Sequence, residues 1–206
     1  MNFREFISNN AQFNTFLTSQ DHPITENSKI LGIKWNTMQD ILHFSLPTYN
    51  AKVTTKRTVL KFIASLYDPL GLLSPILVLA KRLLQKLWKI SSPWDDEVAC
   101  DLNNEWLKIV STWHNQHITI DRLIPTSRSN STQLHCFVDA SGHTYGVVAY
   151  LRLMDSSNNI TTKLVFAKNR LSPIKGMTIP RLELMAILIG SRMIKFLIQP
   201  IRCDHI

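Results

Sequence analysis

The sequence predicts an α+β protein, in which a helical segment is followed by an antiparallel three-stranded sheet with one helix packed on it. Two changes of period carry this reading. Between residues 59 and 113 apolar side chains recur three and four apart, the spacing of helices buried along one stripe. From residue 134 to 171 the period drops to two, in three runs separated by turn-forming residues, and a last helical run covers about 178–197. Strand, strand, strand, helix is the order of a meander that buries one face under a helix.

Residues 29–46, KILGIKWNTMQDILHFSL, read as two short apolar strands joined around Asn36 to Asp40, a hairpin. From Thr55 the run TKRTVLKFIASLYDPLG sets Val59, Phe62, Ile63 and Leu66 at helical spacing and stops at Asp68, Pro69 and Gly71. Pro75 suits the first turn of a second helix. Ile76, Leu79, Leu83, Leu87 and Ile90 form its expected buried stripe, and Arg82, Lys86 and Lys89 line another face. A third helix is expected from Asp95 or Asp96, whose carboxylates favour a helix N-terminus, through Val98, Leu102, Trp106, Ile109, Val110 and Trp113. The polar stretch PTSRSNSTQ marks a boundary. LHCFVD, YGVVAYLRLM and ITTKLVFAKNRL are the three strands, with DSSNN turning between the last two. The closing helix spans about Thr178 to Leu197, with Pro180 in its first turn and Glu183 about one turn in.

A chain of 206 residues, 45% of them hydrophobic, has enough apolar surface for one or two cores and is not disordered. Cys100, Cys136 and Cys203 are scattered and lack CxxC spacing, which excludes a disulfide framework or a cysteine zinc site and fits a reducing, cytoplasmic setting. The longest charge-free apolar run, Leu70 to Ala80, falls far short of the roughly 20 residues of a spanning helix, and MNFREFISNN lacks a signal-peptide core, so no membrane is expected. The net charge of +8 is uneven: −1 over 1–50, +7 over 51–92, −4 over 93–124 and +6 over 125–206. Basic blocks of this kind are either solvated surface or a face for a polyanion.

The candidate chemistry starts at Asp139. A carboxylate at a strand end followed by Ala-Ser-Gly is commonly a turn or cap residue. Glu183 strengthens the case, because it shares a helix face with Ile179, Ala186, Ile187 and Gly190, residues that favour burial. A buried carboxylate needs a partner or a cation, so two acids delivered to one face by a strand and its packing helix point to a hard divalent ion such as magnesium or manganese. Other clusters are weaker. His114 and His117 are three apart but lack further ligands, and Cys203, Asp204 and His205 sit at a terminus with no scaffold. Trp35, Trp88, Trp94, Trp106 and Trp113 fall where core packing explains them better than base stacking.

FVDASGHTYGVVAYLR followed by LVFAKNRLSPIKGMTIPRLELMAI closely resembles the ribonuclease H-like region of Bel/Pao-type retrotransposon polyproteins. TKRTVLKFIASLYDPLGLLSP, LLQKLW and LGIKWN resemble the part just upstream of it. The resemblance covers roughly residues 29 to 197. It implies the end of a reverse transcriptase palm over 1–50, a helical thumb or connection segment over 51–125, and a partial ribonuclease H-like domain over 126–206. It also implies two-metal hydrolysis of the RNA strand of an RNA–DNA hybrid, with Asp139 and Glu183 as the first two metal-binding acids and Mg2+ or Mn2+ as cofactor. Arg82, Lys86 and Lys89 would then follow phosphates.

In that family a fourth strand and a later helix supply more acids, and this sequence stops at PIRCDHI, so the chain alone is expected to be an inactive nuclease that depends on the remainder of the pol polyprotein. No Tyr-x-Asp-Asp polymerase signature occurs. The competing reading is a non-catalytic nucleic-acid-binding remnant. The family's segment also carries a peptidase label, and Asp139-Ala140-Ser141-Gly142 is the nearest approach to an aspartic-peptidase turn, with Ala in its second place and no partner turn.

Overall fold

The structure, a computed structural model, describes residues 7–16, 28–114, 116–124 and 131–201. Residues 125–130 of the expected boundary, and Cys203, Asp204 and His205, lie outside the described residues. The fold class is α+β, with a four-stranded and a three-stranded sheet, both antiparallel. The chain divides into two compact units, Met1–Thr48 with Thr112–Ile124, and Tyr49–Ser111 with Pro125–Ile206. The helical segment and the second sheet fall within the same unit.

The first unit holds the short helix α1 (Ala11–Thr15) and strands β1 (Lys29–Ile30), β2 (Ile33–Asn36), β3 (Ile41–Ser45) and β4 (His117–Asp121), in that order across the sheet. Leu31 and Gly32 both have positive φ, as a two-residue hairpin loop between β1 and β2 requires. The expected β2–β3 hairpin turns at Asn36–Asp40, where the Asn36 side chain accepts from the Gln39 N–H at 3.1 Å. Asp40 then receives the Trp35 indole N–H at 2.9 Å and both arms of the Arg122 guanidinium, the second at 2.8 Å. That pairing ties the end of β4 to the hairpin. β4 was not foreseen, because a five-residue run that exposes His117, Thr119 and Asp121 is held by pairing with β3 more than by burial.

In the second unit, α2 (Lys56–Ala64), α3 (Ser74–Lys89) and α4 (Cys100–Ser111) precede β5 (Ser131–Ala140), β6 (Thr144–Met154), β7 (Ile160–Leu171) and α5 (Ile179–Ile201). Thr55 caps α2 by accepting from the Thr58 N–H while the Thr58 hydroxyl accepts from the Thr55 N–H. Tyr49, Phe62 and Trp106 meet edge to face, with centroids 5.2 to 5.7 Å apart, and form the aromatic centre between α2 and α4. α3 starts at Ser74 with Pro75 in its first turn. Its buried stripe is Leu77, Ala80, Leu83 and Leu87, while Leu79 is 50% exposed and Ile90 is also exposed, so the expected stripe is shifted in phase. The first half of the helix, PILVLA, is apolar nearly all round, and periodicity there cannot choose a face.

α4 begins five residues later than Asp95. Asp95 sits in a turn and pairs with Arg57 instead, Glu97 bridges to Thr55, and the Val98 N–H donates to the Thr54 carbonyl at 2.9 Å, which keeps this stretch out of the helix. Lys56, buried with α2, donates to the carbonyls of Ile90 and Ser92 at 2.6 and 2.8 Å and so satisfies the C-terminal end of α3.

The three-stranded sheet has the order β5-β6-β7. β6 alternates strictly, with Tyr145, Val147, Ala149, Leu151 and Leu153 buried. α5 lies on that face, over β5 and β6, through Leu182, Ala186, Gly190, Met193 and Leu197. By length and composition alone α5 could cross a membrane; its buried stripe packs on the sheet, while Leu184, Ile187 and Phe196 are exposed.

Candidate functional site

The geometry around Asp139 follows from strand parity. The Ser141 N–H donates to the Thr144 carbonyl at 2.7 Å, directly beyond the last paired residues of β5 and β6. Odd residues of β5 therefore hydrogen-bond β6, and even residues point their N–H and C=O groups away from it. Side chains alternate in the same way. Leu134, Cys136, Val138 and Ala140 lie on the α5 face, whereas His135, Phe137 and Asp139 lie on the opposite face with Val148, Tyr150 and Gly146. Burial on the α5 face pushes the Cys136 thiol pKa up.

Asp139 is exposed at the rim of a groove of about 440 Å³ on that opposite face. The groove runs from Phe137 and Tyr150 to Gly71, Ser74 and Asn169, so one wall comes from the start of α3. Phe137 is 58% exposed and meets Tyr150 edge to face at 6.2 Å and His135 stacked at 6.4 Å.

Glu183 comes from the other side. Its neighbours Leu182 and Ala186 pack with Tyr145 and Ala140, which sets the first turns of α5 at the Asp139 end of β5. Ile189, Arg192, Met193 and Phe196 face β7 across Phe166 and Lys168, so the flank carrying Glu183 and Ile187 looks toward β5. Glu183 is exposed, as are Ile179 and Ile187, which corrects the expectation of a buried face. The burial stripe passes one position earlier, through Leu182. Asp139 and Glu183 thus approach one end of β5 from opposite faces of the sheet, around its open edge, rather than sharing one face. Among the described residues no group of three or more His, Cys, Asp or Glu side chains gathers as a metal site.

The basic stripe of α3 is partly neutralised. Lys86 donates to both carboxylate oxygens of Glu105 on α4 at 2.7 and 2.8 Å, Arg82 is half-buried, and Lys89 is exposed. His114 is exposed and its ring nitrogen lies 3.1 Å from the Thr48 hydroxyl, while His117 starts β4, so no helix carries the two together. Trp106 is fully buried as expected, whereas Trp88 and Trp94 meet edge to face at the surface. Sequence reasoning missed the loop from Asp68 to Gly71. The Asp68 carboxylate accepts from the N–H groups of Leu72 and Leu73, both at 2.8 Å, and Gly71 takes φ +73°. The signal was present as Asp-Pro-Leu-Gly but read only as a helix stop.

No curated protein and no solved structure matches the chain. The family model of the Pao retrotransposon-like RNaseH-like domain matches residues 55–205, and so takes in α2, α3 and α4 as well as the sheet and α5. With the match spanning most of the sequence and both helical and sheet parts of the second unit, the chain belongs to the Pao retrotransposon-like RNaseH-like domain family.

Proposed function

We propose that this chain serves the pol polyprotein of a Bel/Pao-type retrotransposon in the hydrolysis of RNA in RNA–DNA hybrids, with Asp139 and Glu183 as ligands of Mg2+ or Mn2+. The observation that carries the reading is the arrival of Asp139 and Glu183 at one end of β5, on a scaffold whose family is ribonuclease H-like. Two exposed carboxylates are hard oxygen donors and suit these ions. Bound divalent ions would supply an activated water and charge stabilisation for in-line displacement at phosphorus. Asp139 would contribute from the groove side and Glu183 from the α5 side, and the exposed Lys89 would attract the backbone phosphates. α2 to α4 would correspond to a thumb or connection segment beside the nuclease scaffold.

A two-metal centre uses more than two acids, so Asp139 and Glu183 would act together with further carboxylates. The peptidase reading is less well supported: Asp139 is a regular strand residue opposite Gly146, and it is the Ser141 hydroxyl that accepts from the Thr144 and His143 N–H groups in the turn.

The test is a Mn2+ titration followed by calorimetry, run beside a labelled-hybrid cleavage assay. Wild type is expected to bind Mn2+ saturably, and Asp139→Asn and Glu183→Gln to weaken that binding about tenfold or more, as loss of one charged ligand from a small set does. Unchanged Mn2+ affinity in both variants overturns the assignment.

A further inference from the structure

We propose that the pocket between α5 and β7 binds single-stranded nucleic acid, with a backbone phosphate between Arg170 and Arg192 and a base stacked on Phe196. The inference extends the nucleic-acid reading above and rests on it for the kind of polymer, but uses neither Asp139 nor Glu183.

Two spacings build the pocket. In β7, Phe166, Lys168 and Arg170 stand opposite Ala149, Val147 and Tyr145 of β6, the residues buried beneath α5. These three side chains therefore project on the α5 side of the sheet. In α5, Ile189, Arg192, Met193 and Phe196 are three and four apart and share the flank that faces β7. The two sets line a hollow of about 210 Å³. Phe166 and Phe196 meet there edge to face with centroids 6.4 Å apart, and Phe196 keeps 66% of its surface open to solvent.

Charge indicates what the hollow takes. Lys168, Arg170 and Arg192 are all exposed, and among the described residues none of the three has an ion-pair partner. Arg57 and Lys86 of the helical segment, by contrast, are each paired with a carboxylate. β7 carries no acid, and the one acid of α5, Glu183, lies nine residues before Arg192, roughly 14 Å along the helix axis and on the flank that looks toward β5. Three like charges gathered on one concavity repel one another, and a bound anion relieves that repulsion. The planar forks of two arginines suit the oxygens of a phosphate.

Size and shape favour one segment of a polymer. Pockets that enclose a whole small ligand measure about 300–1,000 Å³, so this smaller hollow accepts a single group of something longer. It is concave, and a flat lipid surface does not enter it. Cations beside an accessible aromatic ring are the combination that holds a single strand, whose phosphates follow the charges while its bases stack on the ring. In a duplex the bases are already stacked on one another and offer no face to Phe196.

The experiment measures binding of labelled oligothymidylate to the intact chain in EDTA across a salt series, so that failure of the proposed metal site cannot mimic failure of this pocket. An abasic strand of equal length and vesicles of phosphatidylserine with phosphatidylcholine are run in parallel. Arg170→Gln with Arg192→Gln should weaken oligothymidylate binding about tenfold and lower the slope of log affinity against log salt by about 0.7, the value for one phosphate of a single strand. Phe196→Leu, which keeps an apolar contact with Phe166, should weaken it about tenfold with the salt slope unchanged and leave the abasic strand unaffected; Phe196→Trp should restore wild-type binding. These side chains are exposed, so melting temperatures should stay at the wild-type value. Full affinity in the double arginine variant overturns the proposal. So do equal losses on both strands in Phe196→Leu, or vesicle binding that these variants abolish while oligothymidylate binding stands, the last by showing the flank to be a membrane contact.

Discussion

At one edge of the three-stranded sheet the chain lays Leu70 and Gly71 alongside β7; at the other edge, among the described residues, no strand pairs with β5 beyond β6. The β7 edge is finished by local chemistry. The Ala167 N–H donates to the Leu70 carbonyl at 2.9 Å, the Asn169 side chain to the Ser74 carbonyl at 3.1 Å, and the Gln85 side chain to the Ser172 carbonyl at 2.7 Å. Each uses a polar group that would otherwise face outward. The β5 edge instead carries Phe137 and Val138 at the surface, beside the exposed Asp139. An edge closed within the chain contributes to stability, and an edge left open remains available for binding.

The largest effect on this contrast is expected at Gly71. Its φ is +73°, and a β-carbon there would stand 1.8 Å from the Ala167 carbonyl oxygen, a backbone atom that cannot step aside. Gly71→Ala should therefore detach the strap and cost about 3 kcal/mol, a drop of roughly 6–12 °C in melting temperature, with amide exchange rising at Ala167. Unchanged protection at Ala167 would show that the strap does not close this edge.

Gly190→Ala should cost less, about 1 kcal/mol, because the added carbon meets Val138 Cγ1 at 2.6 Å, a side chain that can shift. Val138→Ala in the same chain should recover most of that loss, a coupling that chemical denaturation of the single and double variants would reveal.

A third edge, β4 in the other sheet, is pinned by charge and offers the smallest effect. The hydrogen bond from Arg122 holds the Asp40 carboxyl below its usual pKa, with the Trp35 N–H adding to the effect and burial opposing it. A depressed folded-state pKa stabilises above the ordinary carboxylate value of about 3.9, and that stability is lost as pH falls through the lower folded value. Asp40→Asn should cost about 1 kcal/mol at neutral pH, discounted for the partial exposure of both groups, and the gap to wild type should close in acid. A gap that stays constant with pH would show that charge is not what pins β4.

Much of the fold was legible because burial leaves a periodic trace. The run YGVVAYLRLM coincides with β6, whose alternation Tyr145, Val147, Ala149, Leu151 is the trace of its buried face, and ITTKLVFAKNRL coincides with β7. Features made by contact between distant segments were less so. β4 depends on β3, the start of α4 depends on Asp95 being drawn to Arg57, and the phase of α3 depends on which side its neighbours occupy. The candidate site divides the same way. Asp139 and Glu183 stood out by residue type and by their place on a strand and its following helix. Their faces did not, because a one-position error in a helical stripe rotates Glu183 by about 100° and turns a buried acid into an exposed one.

The amino-acid order alone determined the α+β succession, the meander and its covering helix, and the ribonuclease H-like relationship, since each is written in residue type and short-range spacing. Tertiary structure alone decided that Asp139 looks away from α5, that Lys86 gives its charge to Glu105, and that Leu70 and Gly71 seal the β7 edge. The physical reason is range: periodicity reports which side chains leave water, but direction and partnership depend on backbone hydrogen bonds and close approaches between residues some twenty to a hundred positions apart.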